Sequence, residues 1–271
     1  MMVMLEFLKD LDQDLRDALL AQLRNLWTHS STALEGNTLT LGETAFVLEE
    51  GLTISGKPLK DHIEITGHAR AIDLVYRLIE KGVDLMEHDL FALHQAVQTE
   101  QIVDVYKPVG AWKVEPNSTV IVDGNKQIIF EYASPRDVPT LMKAWLDLFA
   151  GINKEIALDK ENALSFYAEL HAAFVRIHPF WDGNGRMARL LANIPVLKAG
   201  FPPIIIPKER RREYIQTLSK YHLAVGTIMV GDDLLPTIDK LDDFKRFCQE
   251  SWFESLELVD EVHKKQQTRE Q

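Results

Sequence analysis

Apolar residues recurring at intervals of three and four constrain this chain more than any other feature of it. Leu8, Leu11, Leu15, Leu19, Leu23 and Leu26 lay one stripe along a first helix, predicted to end near Glu35 with Gly36 as its left-handed stop. Thr40 followed by Glu43 has the form of a capping box and opens a short helix through Glu50. The same periodicity predicts helices from about Pro58 to Glu80, Glu87 to Gln101, Val138 to Phe149 and Asp159 to Ile177. Arg186 to about Lys198 is predicted helical with Pro195 kinking or ending it, followed by Glu209 to His222 and one last helix from Leu241 to Val262. Between Tyr106 and Tyr132 the texture changes. Trp112, Val114 and Thr119 to Val122, then Ile128 to Phe130, read as two β runs around Asp123-Gly124-Asn125. A lone hairpin is marginal in water, so it must lie against the helices and leave one open edge for docking. The expected fold is all-α with one β-hairpin, in one compact domain. Residues 1–40 form its N-terminal helix, 41–256 its core and 257–271 a C-terminal tail.

Composition narrows the function classes. The 271 residues are 46% hydrophobic, which is ample for a core, and 30 basic against 41 acidic residues leave a net charge of −11. A broad phosphate-tracking surface needs the opposite balance, so nucleic acid is not an expected partner. The single cysteine, Cys248, excludes an internal disulfide framework and a Cys-rich zinc site. Apolar runs such as Leu190 to Val196 are far too short to span a membrane, and Glu6, Lys9 and Asp10 interrupt any signal peptide. No membrane partner is expected, and the cytoplasm is the expected address. An acidic chain that holds a phosphorylated ligand must concentrate its arginines locally.

One stretch does so. Ile177-His178-Pro179-Phe180-Trp181-Asp182-Gly183-Asn184-Gly185-Arg186-Met187-Ala188-Arg189 joins two predicted helices. Gly183 and Gly185 permit a tight turn that presents backbone N–H groups, and the following helix adds the positive end of its dipole, an anion cradle. Arg186 and Arg189 are three apart and expected to project to nearly the same side, as a polyphosphate would require. Asp182 is placed to hold a hard cation that bridges phosphate oxygens, Mg²⁺ being the best fit. His178 is the group here that titrates near neutral pH and could take a proton from an attacking hydroxyl. No G-K-(S/T) follows, so this is not a Walker A loop, and the preceding element is helical, which excludes a dinucleotide fingerprint.

The string H-P-F-W-D-G-N-G-R-M-A-R resembles the Fic-family signature H-x-F-x-(D/E)-G-N-G-R-x-x-R at every fixed position. That resemblance implies transfer of AMP from ATP to a hydroxyl side chain of a target protein, this chain itself among the candidate targets. His178 would be the general base and Asp182 the Mg²⁺ ligand. Gly183, Asn184 and Gly185, with the Asn184 side chain, would bind phosphate, and Arg186 and Arg189 the polyphosphate tail. Ser31-Thr32-Ala33-Leu34-Glu35-Gly36-Asn37 resembles the family's inhibitory motif (S/T)-x-x-x-E-(G/N), placed upstream of the core as in class II members. Ser31 and Glu35, four apart on one helix face, would then set a carboxylate against Arg189 in place of a phosphate. The hairpin region, about 109–132, corresponds to the family's flap, which aligns a target segment by main-chain pairing. Gly110, Trp112 and Lys113 resemble flap residues. Tyr214, after Arg210, Arg211 and Arg212, is a candidate to stack on adenine. Relatives are often dimers, so a homodimer is compatible with the resemblance. Two other readings use the same residues: removal of AMP with Glu35 orienting water, and a non-catalytic ATP-binding module.

Overall fold

The computed structural model describes residues 5–82, 84–98, 104–154, 159–236 and 238–271. The first element is α1, Gln13–Ala33, after a single 3-10 turn at Glu6–Leu8. The leucine stripe therefore begins before the helix does, because Asp12 is extended as N-cap and its N–H donates to the side chain of Gln266 at 2.9 Å. The turn after α1 places Gly36 at φ +101°, the left-handed stop expected there. Thr40 and Glu43 cap α2, Leu41–Glu50, reciprocally: the hydroxyl accepts from Glu43 N at 3.2 Å and Thr40 N donates to the carboxylate at 2.7 Å. Next come α3, Leu59–Lys81, and α4, Glu87–Val97. The expected end of α4 at Gln101 lies outside the described residues.

The hairpin is β1, Ser118–Asp123, paired antiparallel with β2, Lys126–Glu131, in a register that sets Val120 opposite Ile129. Ile121 and Phe130 face the helices and are buried, while Val120, Val122 and Ile129 stay exposed. Trp112 and Val114, expected in the first strand, precede it. The chain there is tied elsewhere: Lys113 N donates to Pro179 O at 2.9 Å, and the Trp112 ring packs on Phe91 and Phe180.

Helix α5, Val138–Lys154, leads to α6, Lys160–Ile177, whose Asp159 cap accepts from Asn162 N at 2.8 Å. Buried residues surround α6 on nearly every side, from Ala163 and Leu164 to Phe174 and Ile177, so it is the central rod of the core. It packs against α5, against α7, Asn184–Leu191, and against α8, Asn193–Lys198. The expected single helix from Arg186 to Lys198 is thus two, broken at Ala192. Pro195 cannot donate to Leu191 O and its ring crowds that carbonyl, so the break falls one turn earlier.

Next in order is α9, Arg211–Val225, and the predicted last helix is also two, α10, Asp239–Ser251, and α11, Phe253–Arg269. Buried Trp252 stands at their junction and donates to Pro202 O at 2.9 Å, with Ser255 donating to Pro203 O at 2.6 Å. Residues 257–271, expected as a tail, are almost all in α11, which packs along α1 through Val259, Val262 and Gln266 and pairs Arg269 with Asp14 at 2.7 Å. Among the described residues no helix is long and apolar enough to cross a membrane.

Candidate functional site

The site is built on the turn between α6 and α7. Helix α6 ends when His178 enters the left-handed region, at φ 55° and ψ 59°, with its N–H on Phe174 O at 2.9 Å. Gly183, at φ +81°, then opens α7. Between them the loop is held from inside. Asn184 accepts from Phe180 N at 2.9 Å through Oδ1 and donates to Phe180 O at 2.8 Å through Nδ2, while Asn117 donates to the same carbonyl at 3.0 Å. His94 lies flat on the Phe180 ring, 3.8 Å between centroids and 7° between planes. Its Nδ1 accepts from Gly110 N at 2.9 Å, so the proton sits on Nε2, which donates to Asp182 O at 3.0 Å. Burial pushes its imidazolium down to about 4, keeping the ring neutral in that role.

Arg189 occupies the charged end of the cradle. It is 2% exposed, and it donates to Ser31 Oγ at 3.0 Å, Ser31 O at 2.9 Å and Glu35 Oε1 at 2.6 Å. Tyr214 Oη accepts from it at 3.3 Å and lies 3.0 Å from His171 Nε2. Burial works against the charge, but Tyr214 and Glu35 more than offset it and hold the guanidinium above its ordinary value. Gly185 lies directly beneath the pair. A Cβ there would stand 2.7 Å from Glu35 Oε1 and 3.0 Å from Arg189 Nη1, so a larger residue would push the carboxylate off its present position. Arg211 ties down the same turn from α9, donating to Leu34 O at 2.6 Å.

His178 is partly buried beside this pair. It stacks on Tyr132 at 3.7 Å and 11°, and Nδ1 lies 3.2 Å from Val175 O. Assigned as the donor there, Nδ1 leaves the Nε2 lone pair free. Burial, with Lys113 as the next cause, pushes its pKa down to about 3, so the ring is a neutral base. His178, Gly185, Arg189 and Glu35 line one cavity of about 240 Å³, together with Tyr132, Leu218 and His222.

Several expected site residues sit elsewhere than their spacing suggested. Arg186 does not share its direction with Arg189: it is buried, donating to Val97 O at 3.1 Å and to Asp182 at 3.2 Å, with Glu64 at 3.9 Å. The Asn184 amide, expected on phosphate, is used up on the Phe180 backbone. Tyr214 is buried against Phe244 and Phe247, and it presents its hydroxyl to Arg189 where a free ring face for adenine was expected. Gly110, Trp112 and Lys113, expected on the flap, brace the signature loop from beneath, because Lys113 Nζ is satisfied by Asn117 Oδ1 at 2.5 Å and Gly110 N by His94. Asp182 keeps an exposed carboxylate, 62% open, and no cluster of three metal-ligating side chains occurs among the described residues. No role was expected of His94, and Asn117 and Tyr132, expected only as part of the flap region, contact the signature loop at Phe180 O and His178. The one available signal was a histidine on an otherwise apolar face of α4.

The site thus combines a helical core, a glycine-bounded turn at the N-terminus of α7 and a carboxylate from the turn after α1 paired with a buried arginine. Residues 84–195 match the Fic/DOC family model. The chain carries a Fic/DOC-family domain. It is 34% identical over 194 residues to protein adenylyltransferase fic-1 of Caenorhabditis elegans, an alignment that covers 71% of this chain and 35% of that protein. The chain thus spans about a third of the length of the curated relatives it matches. A Fic-domain-containing signalling protein from Bacteroides thetaiotaomicron superposes with a TM-score of 0.83 at 28% identity, over 95% of this chain and 92% of that one. The structure of C. elegans Fic-1 superposes with a TM-score of 0.66 at 29% identity, over 92% and 65%.

Proposed function

We propose that the chain is a protein adenylyltransferase that transfers AMP from ATP to a hydroxyl side chain of a target protein, and that Glu35 restrains it by occupying Arg189. The observation that carries this reading is the enclosure of Arg189. A guanidinium 2% exposed needs an anion, Glu35 supplies one at 2.6 Å, and the terminal phosphates of ATP would compete for the same position. The names of the curated relatives support the chemistry.

In the transfer, the target hydroxyl oxygen attacks the α-phosphorus as the bond to pyrophosphate breaks. Neutral His178 takes the hydroxyl proton on Nε2. The first-turn N–H groups of α7 and its dipole face the phosphates, and most of the remaining catalysis is positioning and charge stabilisation. Asp182 would hold Mg²⁺. One exposed carboxylate fits a cation that takes its other ligands from phosphate and water, and when bound it neutralises charge on the phosphates. The open edge of the hairpin offers main-chain groups to an extended target segment.

Incubation of Glu35→Gly with labelled ATP and Mg²⁺ is expected to label protein at least about tenfold more than wild type, the factor given by about 1.4 kcal/mol of lost restraint. His178→Ala in the same background should lower labelling about 10²- to 10⁴-fold, the usual contribution of a general base. Equal labelling by all three proteins would overturn the reading.

A further inference from the structure

A second cavity, of about 620 Å³, opens where α1, α2 and α11 meet, away from every residue of the signature loop. Leu26 of α1, Leu41 and Ala45 of α2 and Leu258 of α11 give it an apolar floor. Four carboxylates stand around that floor, Glu49, Glu254, Glu257 and Glu261, and no lysine or arginine lines it. Glu254, Glu257, Leu258 and Glu261 fall at i, i+3, i+4 and i+7 on α11, so three acids and one leucine share a single helix face. This concentration of like charge is not neutralised from within. Asn25 donates to Glu49 at 2.9 Å, but that bond is neutral and leaves the carboxylate charge in place. Burial, with the neighbouring charges of Glu209 and Glu257, holds the Glu254 carboxyl above its ordinary value.

An apolar floor with an uncompensated acidic rim fits a ligand that is apolar on one side and cationic on the other. The acids from Glu254 to Glu261 extend over about 10 Å at 1.5 Å per residue, two turns of helix, which a single small cation cannot bridge. A volume of about 620 Å³ admits several side chains. We propose that this groove docks a cationic amphipathic helix of a partner protein, with its leucine-like residues on Leu26, Leu41 and Leu258 and its lysines or arginines against the four glutamates.

The test is fluorescence anisotropy of a fluorescein-labelled amphipathic Leu/Lys peptide against the full chain without ATP, so that its failure leaves the adenylyl-transfer reading untouched. Glu257→Lys/Glu261→Lys is expected to weaken binding at least tenfold, and Leu258→Asp to weaken it several-fold, while Glu80→Lys/Asp147→Lys, with the same charge change at a distance, stays within twofold. A peptide of equal composition scrambled to lose its apolar face should bind at least tenfold more weakly. Equal weakening by the distant pair, equal binding of the scrambled peptide, or no binding to wild type would each overturn the proposal. The substituted positions other than Leu258 are exposed, and an unchanged far-UV circular dichroism spectrum identifies variants that have kept the fold.

Discussion

Arg189 stays charged inside the protein because its partners come from separate elements. Ser31 reaches it from α1, Glu35 from the turn that follows and Tyr214 from α9, and Gly185 gives them space. Asn184, one residue before that glycine, does a different job from the one its G-N-G setting suggests. Its amide closes the turn on Phe180, and Asn184→Ala would leave Phe180 N–H buried without a partner, while Phe180 O keeps Asn117. The expected loss is about 1–3 kcal/mol of unfolding free energy, read from urea denaturation followed by circular dichroism. A change below about 0.5 kcal/mol, the usual range for a substitution that removes nothing structural, would show that the staple is not what holds the loop. The contrast between these neighbours explains what the sequence could show at this scale. Ser31 and Glu35 were legible because the string around them resembles the family's inhibitory motif, with a spacing of four that lets both reach a common partner. The inward turn of Asn184 and Arg186 was not, since both depend on backbone groups at Phe180 and Val97 that only the folded chain brings near.

At the level of elements, periodicity located nearly every helix, and the failures came where tertiary contacts override it. The last predicted helix breaks at Trp252, whose buried indole donates to Pro202 O, a partner 50 residues away. The hairpin shows the opposite case, a weak local signal made stable by packing. Phe130 is buried and stacks on His222 at 5.4 Å, and Thr227 donates to Glu131 O at 2.7 Å, so β2 is fixed to the body of the domain. Outward-facing Val122 and Ile129 contribute little to that attachment. Phe130→Ala is therefore expected to destabilise the protein by about 3 kcal/mol, and Val122→Thr to stay within about 0.5 kcal/mol. Thermal and urea unfolding of the two variants checks both values. Similar losses at both positions would mean that the hairpin is held by its own strand pairing and not by its buried face.

Across the whole molecule, acidity acts less through the net charge than through histidines that the fold keeps neutral. His29, His68, His94, His171 and His222 are buried and His178 partly so, and burial is the first cause of a lowered pKa in all six. His94 and His222 are pushed down to about 4 and His178 to about 3. In the unfolded chain each returns to about 6.5. Above that pH both states leave these rings unprotonated and stability does not depend on them. Below it the unfolded chain binds protons that the folded one refuses, so stability falls with pH until the folded values are reached. Each such ring weakens the fold by about 1.4 kcal/mol per pH unit across that window, and several together exceed a typical stability of about 5–15 kcal/mol within about two units. The urea midpoint should accordingly be flat from about pH 8 to 7, drop steeply below about 6.5, and reach zero near pH 5. The slope of unfolding free energy against pH gives the number of protons taken up, expected to be at least about three in this window. An uptake of one proton or fewer would mean that these rings are solvated or paired in the folded protein. It would also remove the ground for treating His178 as a neutral base at the pH where the site works.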